Sequence, residues 1–203
     1  MKLLHAIGFF FLTATVSAQD STAFDGHKWQ APYQLTTPEG WGVERFLLPP
    51  GFAPQIQYKG VEDIRFTPGW ANAKSNEYWS YAFVWYIEGQ LVFDAKMLDT
   101  CLSAYYTGLV RVNGANIPPE KIIPVEVTVK PGSMKDGPTA YRATVKMTDY
   151  MTQQPITLSI KVYQRTCATQ NKTFVFFTIF PQFNKTVWKT LSQLRLDTQC
   201  DKK

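Results

Sequence analysis

The 203-residue chain contains 45% hydrophobic and 15% aromatic residues against 18% charged residues, a composition that excludes an intrinsically disordered protein and indicates a well-packed core. Its formal net charge of +5 is unevenly distributed. Residues 19–120 have 7 basic and 11 acidic side chains, a net charge of −4, whereas residues 121–203 have 13 basic and 5 acidic ones, a net charge of +8.

The N-terminus has the three parts of a secretory signal peptide. The basic residue Lys2 is followed by an apolar run over residues 6–16 and by the small residues Ser17 and Ala18. That run is much shorter than the roughly 20 apolar residues that a membrane-spanning helix needs. We therefore predict a signal peptide over residues 1–18, cleaved after Ala18.

The mature chain, residues 19–203, has the length of one domain and contains no low-complexity linker that would divide it. No later segment has the length and hydrophobicity of a transmembrane helix. We expect a single domain that is either periplasmic or secreted.

Three strands are predicted in the first part of the mature chain, at residues 43–48, 63–67 and 78–87. Apolar side chains alternate onto one face of the third strand, which places that face in the core. The alternating residues are Trp79, Tyr81, Phe83, Trp85 and Ile87. A helix is predicted at residues 94–111, because apolar residues recur there at intervals of three or four positions before an Asn-Gly pair.

Alternating apolar and polar residues predict three further strands, at residues 125–130, 141–147 and 156–163. The segments between them contain Pro, Gly and Asp residues typical of turns, so we expect an antiparallel meander with one face on the core. A fourth strand, residues 173–180, is apolar on both faces. It should therefore lie in the middle of the sheet or be covered on both sides.

A second helix is predicted at residues 185–196. Asn184 is a suitable N-cap, and Phe183 and Trp188 occupy the two positions of a hydrophobic staple around it. The elements thus follow in the order strands, helix, four strands, helix, without a regular βαβ alternation. This order predicts an α+β fold, an antiparallel sheet of about six or seven strands with helices packed against it.

The last strand and helix, residues 173–180 (TFVFFTIF) and 185–191 (KTVWKTL), resemble the strand-and-helix ending of the Mog1/PsbP-like α/β sandwich proteins. Residues 42–52 (GVERFLLPPGF) are similar to uncharacterised secreted bacterial proteins. The first resemblance implies an α/β sandwich and a role as a binding or assembly factor, as in most members of that group. Neither resemblance implies a catalytic residue.

The chain has three cysteines, so a single disulfide in an exported protein leaves one cysteine over. The strand at residues 173–180 leads away from Cys167, and the helix after it must return along the sheet, which brings Cys200 back toward Cys167. We predict a Cys167–Cys200 disulfide. Cys101 lies between apolar residues of the first predicted helix, and we expect it to be a buried hydrophobic side chain rather than a catalytic thiol.

His27 is the only histidine of the mature chain, in a segment expected to be loosely held, which excludes His-dependent triads and zinc sites with two histidines. The remaining catalytic candidates are Glu44, Glu62 and Asp63, which lie in or beside predicted strands near tryptophans. Paired carboxylates beside aromatic rings are the groups that hydrolyse glycosides. Cross-strand ion pairs are the alternative explanation of the same residues.

Two sets of residues are candidates for ligand binding. Trp41 and Trp70 lie beside Gly and Pro residues in predicted loops, where binding residues are frequent. The outward face of the meander is basic and is suited to an anionic polymer, a lipid surface or an acidic envelope protein, although such charges also serve simply to solvate a sheet. Its basic residues are Lys130, Arg142, Lys146, Lys161 and Arg165. We expect Lys146 and Lys161 to lie close enough to bind one ligand.

The sequence therefore favours an exported, non-enzymatic binding or envelope accessory protein with no cofactor and no metal. A carboxylate-based hydrolase of saccharides is the alternative, and a purely structural assembly factor is a third. A hydrolase requires two carboxyl groups about 5 to 10 Å apart across an open cleft, whereas a binding module requires an aromatic or basic concavity without that pair. Nucleic acid is not an expected partner, because an exported chain without an aromatic-basic motif has no reason to bind it.

Overall fold

The computed structural model describes residues 24–132, 140–181 and 185–200. Within these residues the chain forms nine strands, two α-helices and one 3-10 turn. In chain order they are β1 (Gln34–Thr36), β2 (Gly42–Leu48), β3 (Gly60–Phe66), β4 (Tyr81–Glu88), α1 (Ala95–Asn113), the turn Pro119–Lys121, β5 (Glu126–Pro131), β6 (Ala140–Asp149), β7 (Gln154–Cys167), β8 (Lys172–Pro181), α2 (Lys185–Leu191) and β9 (Arg195–Asp197). The predicted signal peptide and the predicted capping residues Phe183 and Asn184 lie outside the described residues.

Seven of the strands form one antiparallel sheet in the order β2-β3-β4-β8-β7-β6-β5. Strands β5 to β8 are the predicted meander, and β8 lies at the centre of the sheet. This position explains why β8 is apolar on both faces: Phe177 packs in the core beneath α1, while Phe174 and Phe176 pack under the chain on the opposite face. The predicted α+β architecture with an antiparallel sheet is confirmed.

Helix α1 covers one face of the sheet, at nearly the predicted position. The Asp94 side chain caps it by accepting a hydrogen bond from the backbone N–H of Met97 at 2.7 Å. The helix packs on β5 and β6, and the core beneath it contains the aromatic stripe predicted in the third strand. Every member of that stripe, from Trp79 to Ile87, is at most 3% exposed.

The opposite face of the sheet is covered by both ends of the described chain. The segment before β2 packs Tyr33 against Phe174 of β8, with ring centroids 5.5 Å apart, and α2 packs Val187 and Leu191 over Ala82 of β4. This covering stops short of β6, whose Arg142 is exposed on the same face. A step therefore forms between the covered and the uncovered half of the sheet.

Local periodicity does not predict two short strands, β1 and β9, which pair with each other antiparallel. Because β9 begins at Arg195, the second helix ends at Leu191 instead of residue 196. The segment around His27 is likewise held by a turn at Asp25 and by Trp29 packing on Tyr33, not loose as expected. Each three-residue strand finds its hydrogen bonds at the other end of the chain, and local sequence does not encode that partner.

Cys167, at the end of β7, forms a disulfide with Cys200, with the two Cα atoms 5.4 Å apart. The predicted pairing is confirmed. The bond ties the segment after β9 to the sheet, so it also holds β9 against the N-terminal segment. Cys101 is the free cysteine of the described chain and is 6% exposed.

Candidate functional site

A groove of about 470 Å³ lies at the step between the two halves of the sheet. Outward side chains of β6, β7 and β8 form its floor, and α2 and β9 form one wall. Its volume falls in the range of roughly 300–1,000 Å³ that is typical of small-molecule sites. The residues that characterise it are Arg142, Lys161, Tyr163, Phe176, Trp188 and Arg195.

The charged residues that line the groove, as far as the structure describes it, are all basic: Arg142, Lys161, Arg165 and Arg195. Strand register concentrates this charge. Arg142 of β6 lies directly opposite Lys161 of β7 and, on its other side, directly opposite Lys130 of β5. The register thus places three cations in a row across three strands, a concentration of positive charge suited to an anion.

Aromatic side chains form the apolar part of the groove. The Nζ atom of Lys161 lies 3.3 Å from the ring centroid of Trp188 on α2, in cation–π contact. The Trp188 ring also packs on Phe180, with centroids 5.2 Å apart. Tyr163, which is 46% exposed, lies directly opposite the half-buried Phe176. The groove thus places cations beside a continuous apolar surface.

Lys146 lies outside this groove. It is opposite Thr157 in the register of β6 and β7, four residues along the strand from Arg142, which is roughly 13 Å at the rise of a strand. Its Nζ atom lies 3.5 Å from the Glu126 carboxylate, in an exposed ion pair. The structure therefore places Arg142, rather than Lys146, beside Lys161.

The two loop tryptophans singled out by the sequence lie on opposite faces of the sheet. Trp41 is half-buried against Val187 and Leu191 of α2, behind the wall of the groove. Trp70 stacks on Phe66, with ring centroids 4.4 Å apart, and lines a second cavity of about 290 Å³ under α1. They do not form one site.

The candidate carboxylate Asp63 is buried on the face opposite α1 and is part of an ion-pair cluster. It accepts hydrogen bonds from Arg45 Nε at 2.8 Å and from the Tyr33 hydroxyl at 3.0 Å, and it also pairs with Arg65. The pair of Arg45 with Asp63 joins neighbouring strands, as expected if ion pairing rather than catalysis explains this carboxylate. With its oxygens occupied in this way, Asp63 is a structural group.

Glu62 lies on the other side of the same strand and is enclosed by protein, with 0% of its surface exposed. Trp85 Nε1 donates to one carboxyl oxygen at 3.0 Å, and the Tyr105 hydroxyl donates to the other at 2.7 Å. Burial raises the pKa of Glu62 to about 8, although these two hydrogen bonds lower it, and the nearby Glu44 charge raises it further. Glu62 is therefore mostly protonated at pH 7.

Glu44 is exposed at the mouth of the second cavity. It lies opposite Ile64, and Phe46 lies opposite Glu62, so Glu44 and Glu62 are diagonal neighbours on one face of β2 and β3. The backbones of diagonal neighbours are roughly 7–8 Å apart, which is close enough for two carboxyl groups to reach the roughly 5–10 Å separation of hydrolytic pairs. However, Tyr105 stands between the cavity and Glu62, and this arrangement leaves Glu62 no surface for a substrate.

Other chemical centres are few in the described chain. Burial raises the pKa of the Cys101 thiol to about 11, which makes it a poor nucleophile at neutral pH. Across residues 24–132, 140–181 and 185–200, no group of three or more His, Cys, Asp and Glu side chains could hold a metal ion. In the same part of the chain, neither helix has the combination of length and apolar character needed to cross a membrane.

Comparisons of the chain with protein families, with curated proteins and with solved structures find no match. The resemblance of the C-terminal segment to Mog1/PsbP-like proteins therefore rests on the layout of one strand and one helix. Function has to be inferred from the geometry of the two cavities.

The sequence pattern identifies Arg142 and Lys161 as outward basic residues, but it does not identify the wall beside them. Trp188 is predicted only as a helix staple, and Arg195 falls within the predicted second helix. Their place in the groove depends on α2 ending early and on β9 pairing with β1. The one signal in the sequence is that Trp188 directly precedes Lys189 in a short helix near a basic sheet, which is too common a pattern to indicate a site.

Proposed function

We propose that this protein is an exported binding protein that holds an organic anion with an apolar body in the groove between the sheet and α2–β9. The observation that carries the proposal is the row of Lys130, Arg142 and Lys161, in register across three strands and bordered by the Trp188 wall. The charged end of the ligand binds at Arg142 and Lys161. Its apolar body lies against Phe176, Leu191 at the end of α2, and Leu194.

An anion placed between Arg142 and Lys161 is attracted by both charges at once. Hydrogen bonds to charged groups typically contribute about 1.5–3 kcal/mol each. Arginine also offers two parallel N–H donors, which suit a carboxylate or a phosphate better than a lysine does. Two such contacts are enough to distinguish an anion from a neutral molecule of the same shape.

The apolar wall adds binding free energy that does not depend on charge. A ligand that covers about 100 Å² of the surface around Phe176, Trp188 and Leu194 would gain about 2.5 kcal/mol, at about 25 cal/mol per Å². Both the charged contacts and the apolar contacts are needed for measurable affinity, because association costs several kcal/mol in lost translational and rotational freedom. We therefore expect the ligand to be amphipathic rather than a simple inorganic ion.

Export is supported by the disulfide between Cys167 and Cys200, because such bonds persist in oxidising compartments. The signal peptide predicted at residues 1–18 agrees with this. The disulfide holds the chain just after β9, and β9 forms part of the groove wall. Oxidation on export would thus complete the binding site.

Hydrolysis of saccharides is the second candidate, and one observation favours it: Glu44 and the protonated Glu62 share a face of the sheet. It is the weaker candidate because the carboxyl group of Glu62 is enclosed by Tyr105 and Trp85. Release of reducing sugar from an envelope polysaccharide, lost in Glu44→Gln, would favour it.

The proposal is tested by isothermal titration calorimetry with three small molecules. Decanoate has both the charge and the chain, acetate has only the charge, and 1-decanol has only the chain. We expect decanoate to bind tightest, and its affinity to fall with added salt because partly exposed charges are screened over roughly 10 Å.

A matched pair of double variants locates the site. Arg142→Gln/Lys161→Gln removes two charges from the groove, and Lys121→Gln/Lys146→Gln removes two charges from exposed positions outside it. We expect the first variant to weaken decanoate binding by about tenfold or more, and the second to leave it unchanged. Equal losses in the two variants would show that decanoate responds to net charge rather than to this groove.

A further inference from the structure

The second cavity, of about 290 Å³, lies between β2–β4 and the C-terminal end of α1. Eight of the thirteen described residues that line it are aromatic, a far higher share than the 15% of the whole sequence. Six of them are Phe46, Phe52, Trp70, Trp79, Tyr81 and Tyr105. Because the cavity is small, it suits a compact ligand rather than a chain or a polymer.

The aromatic rings form connected walls around this cavity. One pair of lining rings is Phe52 and Tyr105, with centroids 5.0 Å apart, and another is Trp70 and Phe66, which stack at 4.4 Å. The deep residues Trp79 and Tyr105 are at most 3% exposed. A ligand that enters between these walls meets aromatic rings from several directions.

The polar chemistry of the walls is largely occupied. The Tyr105 hydroxyl donates to Glu62 at 2.7 Å, and the Tyr81 and Tyr106 hydroxyls share a hydrogen bond at 2.9 Å. A saccharide needs many hydrogen-bond partners, and these hydroxyls are already engaged. What the rings still offer to a ligand is their electron-rich faces and one donor, the buried Trp79 Nε1–H, which has no hydrogen-bond partner among the described residues.

Glu44, at the mouth, is the one charged residue among the described residues that line the cavity. Its charge acts on the cavity wall: the pKa of Tyr150 is raised to about 12 by burial, by Asp149 and by Glu44. The exposed Val112 and Asn113 complete the mouth. An entering ligand therefore passes a negative charge.

The last turn of α1 also borders the cavity, through Leu109 and Asn113. The C-terminal end of a helix carries a partial negative charge, which favours cations. Arg111 lies in the same turn, but its guanidinium donates to the Phe52 carbonyl at 3.2 Å and it is not part of the lining. Glu44 thus provides the formal charge on the described lining, and the guanidinium of Arg111 lies nearby but outside it.

We infer that this cavity binds a small quaternary or alkylated ammonium ion, held by cation–π contact with rings such as Trp70 and by the counter-charge of Glu44. The site lies on the face of the sheet opposite the anion groove, so it does not depend on the proposed function. Aromatic rings with a neighbouring carboxylate are the chemistry that recognises such ions, because a methylated ammonium has little need of hydrogen bonds.

The wild-type protein tests this inference without any mutation. Calorimetric titration with choline is compared with 3,3-dimethyl-1-butanol, which has the same shape but no charge. We expect choline to bind about tenfold more tightly than the neutral molecule. Equal affinity for the two, no binding of choline in the millimolar range, or binding of methyl glucoside in place of choline would each overturn the inference.

Two variants with matched controls then locate the ion. Trp70→Leu should weaken choline binding by about fivefold or more, whereas Trp41→Leu, a half-buried loop tryptophan on the opposite face, should leave it unchanged. Glu44→Gln should weaken binding by about threefold at low salt, and Glu88→Gln, an exposed carboxylate at the end of β4, should not. Circular dichroism confirms that each variant is folded. A control that loses as much affinity as its partner would place the ion elsewhere.

Discussion

The buried carboxyl group of Glu62 should make the protein less stable as the pH rises. In the folded state burial raises its pKa to about 8, whereas its ordinary value is 4.5. An acid whose pKa is raised on folding gives up its proton more readily in the unfolded state. The contribution of Glu62 to the free energy of unfolding should therefore be fully present below pH 4.5, fall between pH 4.5 and about 8, and level off above that range.

The size of the effect follows from the two pKa values. At 1.36 kcal/mol per pKa unit, the difference between about 8 and 4.5 lowers the free energy of unfolding by about 5 kcal/mol above pH 8. At pH 7 the loss is about 3 kcal/mol. Glu62→Gln mimics the protonated acid, since its amide can still accept from Trp85 and contact Tyr105. The variant should equal the wild type near pH 4.5 and be more stable by about 3 kcal/mol at pH 7.

Urea denaturation of both proteins from pH 4 to pH 9 measures this difference, and subtracting the two profiles removes the contributions of all other groups. Asp63→Asn, at the next residue on the opposite face, is the control. It leaves the Arg45 and Arg65 charges without their partner, so it should destabilise the protein by about 3–5 kcal/mol at pH 7. If Glu62→Gln is also destabilising at pH 7, the carboxyl group is ionised in the folded protein and the reasoning is refuted.

Three further predictions test other parts of the structure. Cys200→Ser opens a disulfide that spans 33 residues and should lower the free energy of unfolding by about 3–4 kcal/mol, with dithiothreitol shifting the wild type but not the variant. Gly108→Ala should destabilise α1, because a Cβ atom there would collide with the Phe52 carbonyl. Ala in place of Gly normally stabilises a helix by about 1 kcal/mol. A higher free energy of unfolding for the variant in urea denaturation would therefore contradict that close contact. Exported material should begin at or near Gln19 by intact mass, and a chain that keeps Met1 would contradict the signal peptide.

Most of the sheet can be predicted from the sequence because its strands are half-buried and alternate strictly. The meander of β5 to β7 and the core stripe of β4 follow from that pattern alone, and the central place of β8 follows from its two apolar faces. The path of the chain after β8 is also predictable, since a returning helix brings Cys200 to Cys167. These inferences depend on local patterns that burial imposes directly.

The candidate sites are less predictable because they depend on contacts between distant segments. The sequence shows that Arg142, Lys146 and Lys161 all face outward, but only the strand register shows which two are neighbours. It likewise shows Glu62 and Asp63 side by side, whereas the fold sends one into an ion-pair cluster and the other into an aromatic core. The pairing of β1 with β9, which forms the groove wall, has no local signal at all.

Nuclear magnetic resonance with decanoate tests the central claim most directly. The indole N–H resonances of Trp188 and Trp70 can be assigned with the variants Trp188→Phe and Trp70→Phe, and they report on the two faces of the sheet separately. The proposed groove predicts that decanoate shifts the Trp188 resonance in a saturable manner and leaves that of Trp70 in place, and that Arg142→Gln/Lys161→Gln needs about tenfold more decanoate or higher for the same Trp188 shift. A Trp188 resonance that does not respond to decanoate, or that responds equally in the double variant, would contradict the claim that this groove binds an organic anion.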